Sequence, residues 1–135
     1  MIATPEGVPA HLFPVRVYHE DTDHTGVVYH ASYLRLVERA RSEWARARGV
    51  DQGRLLAAGT ALAVRRMEAD WLSPARYDDL LEIATSVAGV TGARLVLVQE
   101  VRCGARVLFR ARVTLAAVGS DGRPRRLPPS MAAGG

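Results

Sequence analysis

Asp21, Asp23, His24 and His30 crowd one short stretch of the chain, with His19 and Glu20 just ahead of them. An apolar alternation that begins at Val15 runs into this stretch, and a segment of helical periodicity leaves it near Ala31. A carboxylate beside a helix start is a workable hydrolytic site. Free backbone N–H groups and the positive end of the helix dipole hold an oxyanion, while the carboxylate attacks or activates water.

The individual residues leave alternatives open. Either aspartate could serve only to stabilise the turn, as could Thr22 or Thr25, and for Asp21 that role is the favoured one. Gly26 supplies a positive φ or lets a backbone approach closely. Tyr29 and Tyr33 read first as core or interface residues. His30, at the expected helix start, offers its backbone N–H or its side chain, and its spacing does not choose between them. Two metal readings fail on missing ligands. Asp21-Thr22-Asp23-His24-Thr25-Gly26 resembles the opening of a calcium loop, but the twelfth position, where a bidentate acid is needed, is Ser32. No two histidines have the i,i+4 spacing of a helical zinc site, so no metal is expected.

The elements around this stretch must position it. Val15 to about Glu20 reads as a strand. From Ala31 to Arg48, Tyr33, Val37, Ala40, Trp44 and Ala47 share one helical face, with Gly49 as the stop and Glu38 and Arg41 able to pair. Asp51 is placed to cap a short helix over 52–58. Four strands follow, over 61–72, about 80–90, 93–102 and 105–118. The first places Ala61, Ala63, Met67, Ala69 and Trp71 on one parity, interrupted by Arg65. The order predicts an α+β fold, one long helix on an antiparallel sheet of about five strands. Leu62, Val64, Val96, Val98 and Leu108 fall on the opposite parity, which predicts a partly apolar far face covered by another subunit. Residues 1–13 and 120–135 read as a loose lead-in and a loose tail of one domain spanning 1–135.

Composition narrows the class without choosing a partner. The chain has 135 residues, 48% hydrophobic and 24% charged, as in an ordinary globular protein. All 18 basic residues are arginine, and the net charge is +4, which suits an anionic partner. Cys103 is the lone cysteine, which excludes an intrachain disulfide and a cysteine-rich zinc site. No secretory signal or membrane span is visible, so a cytoplasmic location is expected. Nucleic-acid binding would rest on charge alone and is not expected.

Val15-Arg16-Val17-Tyr18, Glu20-Asp21-Thr22-Asp23 and Gly26-Val27-Val28-Tyr29-His30-Ala31-Ser32-Tyr33 closely resemble the acyl-CoA thioesterases of the 4-hydroxybenzoyl-CoA thioesterase family, in particular the branch associated with the bacterial Tol-Pal system. The resemblance continues through Glu38-Arg39-Ala40-Arg41, Ser73-Pro74-Ala75-Arg76 and Leu81-Glu82-Ile83 to Arg126-Leu127-Pro128. It implies a hotdog fold, in which the sheet wraps the long helix. It also implies a homodimer with active sites at the interface, often paired into a homotetramer. The family's catalytic aspartate carries over to Asp23, and the backbone amide that polarises the thioester carbonyl carries over to His30. Gly26, Val27, Tyr29 and Tyr33 are expected around the substrate. Arg65, Arg66, Arg76 and Arg94 are candidates for the phosphates of coenzyme A, which is part of the substrate; no separate cofactor is expected. His24-Thr25 departs from the small residues or proline usual there, and His19 from an aromatic.

The implied reaction is hydrolysis of an acyl-CoA to free acid and CoA, with Asp23 as nucleophile or as general base. Attack is favoured because an ionised carboxylate needs no pKa shift for it. The alternatives are dehydration of a hydroxyacyl thioester, and a non-catalytic module that binds an acyl carrier protein or a membrane surface through Arg123, Arg125 and Arg126.

Overall fold

The computed structural model describes residue 2 and residues 9–132. Strand β1 (His11–Arg16) is followed by a single 3-10 turn (His19–Asp21) and by helices α1 (Ser32–Ala47) and α2 (Gln52–Ala57). Strands β2 (Thr60–Trp71), β3 (Leu80–Thr91), β4 (Arg94–Cys103) and β5 (Arg106–Gly119) and a short helix α3 (Pro129–Ala132) complete the chain. The five strands form one antiparallel sheet in the order β1-β3-β4-β5-β2. This is the α+β hotdog arrangement expected.

Helix α1 has no glycine or proline, and Tyr33, Leu36, Val37, Ala40, Trp44 and Ala45 form its buried face. That face meets Leu81, Ile83, Leu95, Leu97, Val101, Phe109 and Val113 from the sheet. Each large side chain so buried contributes about 1.5–3 kcal/mol, so this contact fixes where the helix start lies. Leu36 and Ala45 replace Ala47, which is exposed. Arg41 turns under the helix and donates to Gln99 Oε1 at 3.1 Å, and the Gln99 amide in turn donates to the Val37 carbonyl and the Thr85 hydroxyl. At the other end Gly49 takes φ 78° and closes α1, and Asp51 caps α2 by accepting the Arg54 N–H at 3.0 Å.

Four expectations are corrected. The first strand lies earlier than Val15–Glu20: His11, Phe13 and Val15 turn inward while Leu12, Pro14 and Arg16 face solvent. Pro14 is tolerated because β1 is an edge strand. Strand pairing with β3 ends at Arg16, and Asp21 Oδ2 accepts the Tyr18 N–H at 2.9 Å, which winds residues 19–21 into the 3-10 turn. Second, the lead-in expected over 1–13 therefore includes strand from His11; residues 1 and 3–8 lie outside the described residues.

The tail is the third. Arg125 N–H bonds the Ala117 carbonyl, Leu127 N–H bonds the Gly92 carbonyl, and the Leu127 and Met131 side chains are buried. Two apolar anchors thus dock a segment whose composition reads as loose; residues 133–135 lie outside the description. The fourth is the parity of β2. Val64 pairs with Leu115 and Arg66 with Thr114, so Arg65 is the extra residue of a β-bulge. The bulge switches faces. Leu62 and Val64 join Met67, Ala69 and Trp71 on the helix side, and Ala61 and Ala63 move to the far side. Val98 and Leu108 are already buried within one chain. The far face keeps Val96 and Val98 and also carries Glu100, which accepts from both Arg102 and Arg110, so it is partly apolar and partly charged.

Candidate active site

Residues 21–29 form a small hairpin whose tip is the expected site. Asp23 N–H donates to the Val27 carbonyl at 2.9 Å, Thr22 bridges Val28, and Tyr29 N–H returns to the Asp21 carbonyl at 3.0 Å. Gly26, at φ 83°, makes the reversal and donates to the Asp23 carbonyl. The loop between β2 and β3 supports the outer side. Val28 N–H bonds the Ala75 carbonyl, Val27 bridges Arg76, and Tyr77 N–H bonds the Gly26 carbonyl. Buried Tyr33 ties that loop to α1, because its hydroxyl oxygen accepts the Ala75 N–H at 3.0 Å.

The two acids of the turn do different things. Asp21 is 3% exposed, and its carboxylate is occupied by the Tyr18 N–H. Asp23 sits at the tip and lines an open cavity with His19, Thr22, His24, Gly26 and Tyr77. Its Oδ1 accepts both the Thr25 hydroxyl at 2.6 Å and the Thr25 N–H at 2.8 Å. These bonds, the hydroxyl first, hold the Asp23 carboxyl below its ordinary range, with a smaller contribution from the charge of His24. No ion pair with His19 or His24 lies within 4.0 Å among the described residues, so Thr25 is the side-chain partner of Asp23.

The helix start is open. The residue before α1 is Ala31, whose side chain caps nothing, and the His30 N–H donates to no group among the described residues. The His30 carbonyl, by contrast, accepts the Trp71 indole N–H at 3.0 Å. The His30 ring lies between Tyr29 and Trp71, at 4.6 and 6.2 Å between centroids, and Trp71 rests its edge on Phe109. Val28, His30, Tyr33, Trp71, Leu72, Ser73 and Pro74 line a second open cavity, largely apolar and of about 260 Å³. Asp23 and His30 therefore open onto separate cavities within one chain, on either side of the Val27–Tyr29 segment.

The remaining expected residues divide. Gly26 and Val27 build the hairpin, Tyr29 is exposed beside His30, and the Tyr33 ring lines the second cavity while its hydroxyl is engaged. Among the arginines only Arg76 adjoins the turn, through the bridge to Val27. Arg65 is the bulge residue of β2, and Arg66 faces Glu68 at 3.7 Å. Arg94 begins β4 at the far end of β3, roughly 35 Å from Leu80 by strand rise. None of the four, Arg65, Arg66, Arg76 or Arg94, lines either cavity. Two contributors escaped the sequence reading. Trp71 showed itself only as a strand residue, and Thr25 only as a turn former, although Asp-x-Thr is the spacing at which the threonine can bond back to the aspartate. No group of three His, Cys, Asp or Glu side chains able to hold a metal ion forms among the described residues. No helix there is long and apolar enough to cross a membrane.

Residues 17–134 match the thioesterase-like superfamily. The acyl-CoA thioester hydrolase YbgC of Escherichia coli O6:H1 is 44% identical over 123 residues, covering 90% of this chain and 92% of that one. The acyl-CoA thioesterase YbgC of Haemophilus influenzae is 43% identical over 107 residues, covering 78% and 79%. Among solved structures, a probable thioesterase from Bartonella henselae superposes with a TM-score of 0.84 at 43% identity, covering 88% of this chain and 99% of that one. By its hotdog architecture and by these relations, the chain belongs to the thioesterase-like superfamily and is a thioester hydrolase.

Proposed function

We propose that the protein hydrolyses acyl-CoA thioesters, with Asp23 as the nucleophile and the His30 N–H as the donor to the developing oxyanion. One observation carries this reading. Asp23 presents a carboxylate held below its ordinary pKa at the tip of the turn that leads, along the chain, into the start of α1, which has no side-chain cap. A lowered pKa weakens a general base but leaves an attacking carboxylate fully ionised at neutral pH. Oδ2 attacks the thioester carbonyl carbon, and the oxygen takes the charge. The C–S bond then breaks with its electron pair on sulfur, which is protonated to the CoA thiol. Water hydrolyses the mixed anhydride, releasing the acid and restoring the carboxylate. One oriented N–H at the oxyanion is worth roughly 3 kcal/mol in such sites.

The rest of the substrate follows from placement. Arg76, whose backbone adjoins the turn, is the candidate for a CoA phosphate, and if Arg65, Arg66 or Arg94 touches the same molecule it belongs to a second copy of the chain. The protein assembles as a dimer through β2, one of the two edge strands of the sheet, on which Val64 and Trp71 are about half exposed. That edge supports the association.

Thiol release from a panel running from acetyl- to palmitoyl-CoA, with 4-hydroxybenzoyl-CoA included, tests the activity. Rapid-quench kinetics tests the route. A burst of CoA ahead of free acid is expected, with an acyl adduct on the peptide holding Asp23. Acid and CoA appearing at equal rates, with no adduct, would overturn attack in favour of base-activated water. A light-scattering mass of 14.6 kDa at micromolar concentration would remove the dimer.

A further inference from the structure

We propose that Thr25 is a positioning residue for Asp23: its hydroxyl and its backbone N–H bind one carboxylate oxygen, Oδ1, and so present Oδ2 to the substrate. The inference rests on Asp23 being the nucleophile.

The geometry is local to one turn. Both donors come from one residue and meet one oxygen, at 2.6 Å from Oγ1 and 2.8 Å from N. The hydroxyl distance is in the range of a bond to an ionised acceptor. The backbone beneath is clamped on both sides, because the Asp23 N–H is bound to Val27 and the Asp23 carbonyl receives the Gly26 N–H. With the main chain fixed and one oxygen held by two donors, rotation of the carboxylate is what the threonine removes. The remaining oxygen, Oδ2, accepts from neither Thr25 donor and is the one free to meet a substrate. The titratable groups around it are His19 of the 3-10 turn, His24 beside it, and Tyr77 on the supporting loop; that loop also carries Arg76, Asp78 and Asp79.

The chemistry assigns a sign. At neutral pH Asp23 is ionised with or without the hydroxyl, so the bond adds nothing to the ionised fraction. What it adds is orientation, and misorientation of a reacting atom is costly in rate. At low pH the same bond favours the charged form and keeps the nucleophile ionised further down.

Thr25→Val, which removes the hydroxyl and keeps the shape and the N–H, is compared with Thr25→Ser and Asp23→Asn. The substrate is the most rapidly hydrolysed member of the acetyl- to palmitoyl-CoA panel. In Thr25→Val, kcat at pH 7 is expected to fall about tenfold with KM within about twofold. The acid limb of kcat/KM, and the NMR titration of the Asp23 carboxyl, should both move to higher pH. Thr25→Ser should restore rate and limb. An unchanged rate and limb in Thr25→Val, with Asp23→Asn inactive, overturns the role of Thr25 and leaves the nucleophile standing. A slower Thr25→Val whose limb and carboxyl titration do not move, and which serine does not restore, marks a merely structural threonine and also overturns it. An active Asp23→Asn overturns the reading underneath. The NMR titration needs no turnover, so it decides even if a variant is too slow to assay.

Discussion

Asp23 and Asp51 are both associated with a helix start, and both carboxyls are held below their ordinary range by hydrogen bonds to nearby residues. The bonds differ in what they leave over. Asp51 Oδ1 accepts the Arg54 N–H, one of the orphan donors of α2, so its charge is absorbed by the helix it caps. Asp23 Oδ1 accepts from Thr25, within its own turn, and leaves the start of α1 without a side-chain cap. A depressed carboxylate is therefore not by itself a sign of chemistry. The sign is a depressed carboxylate that leaves the helix start following it in sequence without a side-chain cap.

The same contrast extends to what lies behind each start. Helix α2 buries none of its residues, and its N-terminus is organised by one local cap. The start of α1 is held from a distance. Tyr33 reaches Ala75 across 42 positions of sequence, and Trp71 reaches His30 across 41. A site that must hold two groups in register is built on the second kind of support.

The largest expected effect separates the two aspartates outright. Asp23→Asn should lower kcat by about a thousandfold or more with substrate binding largely kept, because it removes the attacking group and little else. Asp51→Asn should leave kcat within about twofold and give only a small loss of Tm. Steady-state thiol release and thermal unfolding on both proteins check this; comparable kinetic losses would erase the distinction.

Tyr33→Phe tests whether the remote support is structural. The substitution leaves the buried Ala75 N–H without its acceptor, for an expected loss of about 1–3 kcal/mol in urea unfolding. The stacking on Phe109, at 5.0 Å between centroids, survives it. A large fall in kcat with no loss of stability would instead return the hydroxyl to the substrate. Trp71→Phe is the milder cut. It removes the bond to the His30 carbonyl, worth about 1 kcal/mol, and lets the peptide that begins α1 turn. The expected result is a fall of about tenfold in kcat with a small change in Tm. A kcat equal to that of the native chain would show that the local fold of residues 21–29 orients His30 unaided.

How much of this was legible follows from the same division between local and distant. The strand–turn–helix order, Gly26 at the reversal, the buried face of α1, the Asp51 cap and strands β3 to β5 all depend on neighbours in sequence, and periodicity shows them. The docking of the tail depends on Leu127 and Met131 finding the core, which a Pro- and Arg-rich composition conceals. The bulge at Arg65 left one trace, an arginine on an inward parity, but alternation alone does not say that the strand changes face there. The arginines were the least readable. Their placement depends on which ends of the strands come together, and that leaves Arg76 beside the turn and Arg94 at the far end of β3. The bond from Trp71 belongs to the same class, since nothing near residue 71 points to His30.

The smallest effect is one the two aspartates share, and it sharpens where they part. For each, the folded pKa is lowered from the ordinary value of 3.8, so each contributes stability that is present above that value and lost as pH falls through the folded pKa. The stability difference between the native chain and Asp51→Asn should be constant from about pH 5 to pH 7 and should close below 3.8. Asp23→Asn should show the same closing, because an exposed carboxylate on two donors stabilises its turn whatever else it does. The kinetic profiles must differ nonetheless: an acid limb governed by Asp23 persists in Asp51→Asn at its native position. Urea unfolding and kcat/KM measured on the three proteins between pH 3 and pH 7 check this. If removing Asp51 moves the acid limb, the limb does not belong to Asp23, and the separation between a carboxylate absorbed by its helix and one left free for a substrate fails.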